Sequence, residues 1–149
     1  MPDFWRMSNR KLFSPTTIDV WNSKAFQELS GKQVKLWVFC AMQWAPSQKQ
    51  TELPRNHFLM NGSMYKQCGW RKDAFIRDMT ALIEKGFINC AKRGDRDKSV
   101  YCFSDRWKVY GTKEGQPKPS ECNKPLLCRL YPEAYAKEYL RPSAYGKDL

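Results

Sequence analysis

The 149-residue chain is poor in most of the residues that carry catalysis. Its single histidine, His57, lies in a short apolar run, HFLM, where a bystander role outweighs acid–base work. No GxxxxGKS/T phosphate loop, GxSxG elbow or HExxH helix occurs. No carboxylate cluster suggests a two-metal nuclease. The six cysteines (40, 68, 90, 102, 122 and 128) include no CxxC pair, so zinc ligation has no matching ligand spacing. No window approaches the ~20 apolar residues of a membrane span, and MPDFWRMSNRKLF lacks the apolar run of a secretory signal. These absences lead to the expectation of a cytoplasmic, non-enzymatic protein with no cofactor, metal or membrane. Its thiols are expected to stay reduced, with Cys90 and Cys102 as buried residues that could face each other across a hairpin.

What the chain has in surplus is positive charge. Twenty-six Lys and Arg stand against 15 Asp and Glu, a formal net charge of +11, with the excess spread along the whole length. Such a balance suits a polyanion, because each neutralised phosphate releases condensed counterions. Aromatics make up 14% of residues, too many for a disordered basic tail. The same charge also fits a soluble basic protein with no nucleic-acid partner.

Along the chain, residues 1–22 read as an arm of aromatic and basic residues. Phe26 and Leu29 fit a short helical turn. Val34, Trp37, Val38, Ala41, Met42 and Ala45 then recur at helical spacing, predicting a helix over 31–45 that ends at Pro46. HFLM (57–60) is a strand candidate. A short helix follows at about 62–68, capped by Asn61 or Ser63 and closed by Gly69. A longer helix at 71–85 ends on Gly86, as a left-handed cap would place it. FINCAKR and SVYCF alternate like strands around GDRDK, which predicts a hairpin. SDRWKVYG reads as a closing turn capped by Ser104. From Thr112 the composition shifts to an extended Pro- and Lys-containing linker. A short helix then carries Tyr131, Tyr135 and Tyr139 on one face, with Pro132 near its start. That stripe could pack on its own domain or on a second subunit.

Within helix 71–85, Phe75, Met79, Leu82 and Ile83 form an apolar stripe that can lie against helix 31–45. The other face carries Arg71, Lys72, Asp73, Ile76, Arg77, Thr80 and Glu84. Such a face is what any solvated helix shows, and also what a helix entering the major groove would present. Arg71 or Arg77 could pair with guanine O6 and N7, and Asp73 could orient an arginine. The hairpin tip KRGDRDK brings Lys92, Arg93, Arg96 and Lys98 together. Those cations could follow phosphates or enter the minor groove, or could merely protect a strand edge. Trp70 reads as core.

The run CGWRKDAFIRDMTALIEKGFI, with Leu82, Lys85, Gly86, Phe87 and Ile88 at matching places, resembles the winged helix-turn-helix DNA-binding family. The SDRW phrase resembles the hairpin end of its phage-type members. The likeness covers about residues 31–111. It implies an α+β, mainly α fold: three helices and a β-hairpin wing, here followed by a helical C-terminal extension. It departs from the family at Trp70-Arg71-Lys72, where many members carry a Ser or Thr cap.

The domains expected are an arm (1–22), a winged-helix domain (23–111), and a linker with a short helix (112–149). The function implied is non-catalytic double-stranded DNA binding, in a transcriptional regulator or replication-associated protein of bacterial, plasmid or phage type. A homodimer would suit two-fold half-sites. The competing class is a protein–protein adaptor or structural module on the same fold. Single-stranded or RNA binding would need an aromatic stacking platform, whereas these aromatics appear committed to the core.

Overall fold

A computed structural model describes residues 18–50, 53–61, 64–67, 69–94 and 98–140. Two short helices, α1 (Ile18–Asn22) and α2 (Lys24–Gln27), lead in. Ser23 separates them, its hydroxyl accepting the Phe26 amide at 3.1 Å. The arm expected over residues 1–22 lies outside the described residues up to 17. The next helix, α3 (Gly31–Gln50), starts with reciprocal capping. The Ser30 hydroxyl accepts the Gln33 amide at 3.1 Å, and the Gln33 side chain accepts the Ser30 amide at 3.0 Å.

Two expectations for this helix are corrected. It runs through Pro46 instead of ending there. A proline removes one amide donor from the ladder but keeps a φ compatible with helix, so the helix can continue past it. The buried face is also rotated: Leu36, Trp37, Cys40, Ala41 and Trp44 are buried, whereas Val38 and Met42 are exposed. Apolar residues run almost unbroken from Leu36 to Met42, so spacing alone did not select the inner face.

Strands β1 (His57–Asn61), β2 (Ile88–Lys92) and β3 (Lys98–Phe103) form an antiparallel sheet in the order β1-β3-β2. Phe58 pairs with Tyr101 and Ile88 with Phe103; the register is irregular between Cys90 and Lys92. Helix α3 packs on β1 and also meets α5 (Lys72–Glu84). The rings of Trp37 and Phe87 lie 4.7 Å apart, and those of Phe58 and Phe103 stack at 4.9 Å. Between β1 and α5 sits the four-residue helix α4 (Met64–Gln67). Gly69, at φ +79°, follows it as expected. Of the two expected caps, Asn61 ends β1 opposite Lys98, and Ser63 lies outside the described residues.

Gly86 joins helix to sheet as the sequence suggests. Its φ is +91°. The Phe87 amide bonds to the Leu82 carbonyl at 3.0 Å and the Gly86 amide to that of Ile83 at 3.1 Å. This pair of bonds is a Schellman closure, and it satisfies carbonyls left open by the helix end. Beyond β3, the Ser104 hydroxyl accepts the Arg106 amide at 3.1 Å and starts a 3-10 turn, Arg106–Val109.

The segment after Thr112 is not an extended linker. It folds into two 3-10 turns, Lys113–Gly115 and Pro119–Glu121, with Gly115, Pro117 and Cys122 buried. Two helices follow, α6 (Lys124–Leu130) and α7 (Pro132–Tyr139). Only the second was expected. Asn123 caps the first, its side-chain oxygen accepting the Leu126 amide at 3.2 Å. Leu126 and Leu127 enter the same core as α5 and the sheet. Burying these two leucines offsets the cost of ordering a proline-containing segment. Among the described residues, no helix is long and apolar enough to cross a membrane.

Candidate nucleic-acid interface

The first half of α5 is exposed and basic, and its base is fixed from behind. Trp70 is buried, as expected. Its indole N–H donates to Asp78 Oδ2 at 3.0 Å, and Gln33 of α3 donates to Asp78 Oδ1 at 3.4 Å. A carboxylate with only 2% exposure thus ties α3, the turn and α5 together. Arg71 ends the turn without a side-chain cap, so the expected gap in capping is real. Asp73 instead supplies an acidic first turn.

Outside this support, the side chains of Arg71, Asp73 and Arg77 are 87%, 82% and 70% exposed. Arg71 approaches Asp73 at 3.8 Å and Arg77 approaches Asp78 at 3.6 Å. At such exposure these pairs hold their partners weakly. Lys72 is exposed and makes no ion pair with the described residues; Ile76 beside it is 36% exposed. Helix α3 adds two cations that sequence reading missed. Lys32 and Lys35 reach over the Trp70 ring, 5.6 and 5.5 Å from its centroid. Their spacing of three on a helix was the available signal. Together with the exposed Arg71, Lys72 and Arg77 they make five exposed cations on α3 and around the start of α5, with the exposed Asp73 among them.

The second half of α5 is different. Thr80 was expected to be a contact residue. Its hydroxyl instead donates to the Ile76 carbonyl at 2.7 Å and accepts from Asn123 at 2.8 Å. Four residues on, Glu84 pairs with Arg129 of α6 at 3.0 Å. The extension therefore covers this part of the polar face.

Arg93 requires a larger correction. It was expected at the exposed tip of the wing, yet its guanidinium is engaged on every side. Nε donates to Glu138 Oε2 at 3.0 Å and Nη2 to Glu138 Oε1 at 2.6 Å. Nη1 donates to the Pro119 and Cys122 carbonyls at 3.2 and 2.8 Å. The hydrogen bonds to Glu138 raise the arginine's pKa further. With four of its five N–H donors committed to a carboxylate and two carbonyls, this guanidinium is a structural tie with its charge paired. Of the other wing cations, Lys92 is exposed at the end of β2. Lys98 opens β3 opposite Asn61. Arg96 lies outside the described residues.

Arg106 is a second engaged arginine. It donates to the Ile83 carbonyl at 2.8 Å, the Gly115 carbonyl at 2.8 Å and Asn89 at 2.9 Å. It thereby joins the end of α5, β2 and the extension. The tyrosine row that suggested a second subunit is also used within the chain. Tyr131 donates to the Pro117 carbonyl at 2.7 Å, and the Tyr135 and Tyr139 rings pack against each other at 5.0 Å beside the core.

Cys90 and Cys102, which could have faced each other across the hairpin, do not, and both thiols are free. The register sets Asn89 opposite Cys102 and Cys90 opposite Tyr101, so Cys90 and Cys102 point to opposite faces. Cys90 is buried, and burial pushes its thiol up to about 11; Cys122 is likewise pushed up to about 11. Cys102 is only half-buried, with burial again raising its thiol. His57 sits on β1 with Nδ1 2.8 Å from Asn56 Oδ1, and burial lowers its pKa. Among the described residues, no three His, Cys, Asp or Glu side chains converge as metal ligands. Neither a family model, nor a curated protein, nor a solved structure matches the chain.

Proposed function

We propose that this chain is a non-catalytic double-stranded DNA-binding protein of winged-helix architecture. The element order α3-β1-α4-α5-β2-β3 and the sheet order β1-β3-β2 support that architecture. The observation that carries the function is the set of exposed cations on α3 and the start of α5, Lys32, Lys35, Arg71, Lys72 and Arg77, held beside the buried Trp70–Asp78 hydrogen bond. Cations anchored on two packed helices can meet phosphates without first ordering a loop. In this reading the N-terminal half of α5 enters the major groove, where Arg77 or Arg71 reads a base. Lys32 and Lys35 neutralise flanking phosphates. The wing contributes through Lys92 and Lys98, and Arg93 holds the wing in place. A regulatory or replication-associated role follows from the family resemblance.

The adaptor reading draws on one observation, the removal of Arg93 from the wing's free charge. A selection on random duplex DNA separates the two. Enrichment of a consensus supports DNA recognition, and a palindromic one would add a dimer. No enrichment, together with binding that is lost at moderate salt for every sequence, favours the adaptor. If Arg77 reads a base, Arg77→Ala should relax preference at one base pair by about 1–3 kcal/mol. A uniform loss over all sequences marks a phosphate contact instead.

A further inference from the structure

Between α5 and the tip-side half of the β2–β3 hairpin lies a groove of about 690 Å³, within the usual range of small-molecule sites of roughly 300–1,000 Å³. The extension meets α5 at Thr80 and Glu84, and Lys72, Phe75 and Ile76 from the first turns of the helix line the groove. The buried rings of Phe75 and Tyr101 line it, with Tyr65, Tyr139 and the half-exposed Ile76. Three cations line it as well: Lys72 from the start of α5, Lys124 from the start of α6, and Arg93. No Asp or Glu does. Arg93 is neutralised by Glu138, so the charge available to a ligand comes from Lys72 and Lys124. Lys124 stands over the Tyr139 ring at 4.7 Å, next to the aromatic surface.

We propose that this groove binds a small planar aromatic anion. Its ring lies against Tyr65, Phe75 and Tyr139, and its carboxylate, sulfonate or phosphate group meets Lys72 and Lys124. The complementarity is one of both shape and sign: an aromatic floor excludes water around the ring, and the unpaired charges among the described lining residues, Lys72 and Lys124, are positive. The same chemistry occurs in free aromatic acids and in nucleotides. Lys72 also belongs to the duplex-binding face, so ligand and duplex exclude each other there, a consequence that rests on the DNA-binding reading.

The test is a fluorescence titration of the full chain with 8-anilinonaphthalene-1-sulfonate. The expected result is saturable binding, weakened at least tenfold in a Lys72→Glu/Lys124→Glu variant. A Lys108→Glu/Lys113→Glu variant, with the same change in net charge at exposed positions elsewhere, should bind as the parent does. Equal weakening in both variants, or none in the first, overturns the site. Displacement by 1-naphthoate or by adenosine monophosphate identifies the source of the ligand, and displacement by neither overturns the assignment. Duplex DNA that binds while leaving the dye in place contradicts the shared use of Lys72. A chain that takes the dye but no duplex contradicts the DNA-binding reading and leaves the site standing.

Discussion

Arg93 and Glu138 stand 45 residues apart and meet through two parallel hydrogen bonds, of 3.0 and 2.6 Å. The pair fastens α7 to the hairpin just beyond the end of β2. Together with Asn123–Thr80 and Arg129–Glu84, it makes the extension a brace between α5 and the sheet. The spacing between α5 and the β2–β3 hairpin is then a property of the folded chain.

Arg93→Ala is therefore expected to lower stability by about 1–3 kcal/mol, because the Pro119 and Cys122 carbonyls lose a charged donor. Glu138→Gln should cost under about 1 kcal/mol, since its side chain is 42% exposed and solvent screens the pair. Urea denaturation monitored by tryptophan fluorescence measures both. An Arg93→Ala variant as stable as the parent would contradict the brace.

Gly86→Ala should be more damaging than Gly69→Ala, although both glycines have positive φ. A Cβ at Gly86 would press on the backbone of Arg106 and Trp107, whereas one at Gly69 meets open space. The expected losses are more than about 2 kcal/mol at Gly86 and about 1 kcal/mol at Gly69. Equal losses by thermal denaturation would remove the close approach from the account.

Stability should fall as pH drops from 7.5 to 5.5. Burial lowers the His57 pKa below its ordinary value of 6.5, so the unfolded chain takes up the proton first. The contribution is whole above pH 6.5 and declines below it. His57→Gln should flatten the decline in this window, ahead of carboxylate titration; an unchanged slope would contradict it.

At pH 8, a thiol reagent should modify exposed Cys128 well before Cys90 or Cys122. The latter two stay protonated because burial raises each to about 11. Peptide mapping gives the order, and early labelling of Cys90 would contradict its burial.

Much of the architecture was legible where one residue type has few conformational options. Gly69 and Gly86 marked turns, Pro132 marked a helix start, and strand alternation marked the hairpin. The inner face of α3 was not legible, because its apolar run from Leu36 to Met42 carries no clear period. The extension was misread for a related reason: proline and lysine suggest an exposed linker, whereas packing depends on Leu126, Leu127 and a capping Asn123. Site residues divided along the same line. Sequence showed which residues carry charge, and Arg71, Lys72, Asp73, Ile76 and Arg77 are indeed exposed on one helix. It did not show that Arg93 would find Glu138, or that Lys32 and Lys35 would join Trp70, since these contacts depend on distant partners.

The most direct test of the central claim is the salt dependence of duplex binding by fluorescence anisotropy. The parent chain should lose affinity linearly in log[salt], with a slope near −0.9 for each phosphate neutralised. A variant with Lys32, Lys35 and Lys72 changed to Gln should flatten that slope by roughly one for each phosphate contact removed. Lys113→Gln, at an exposed position on the extension outside these cations, should leave the slope unchanged. An unchanged slope in the triple variant, or a slope that flattens equally with Lys113→Gln, would contradict the account.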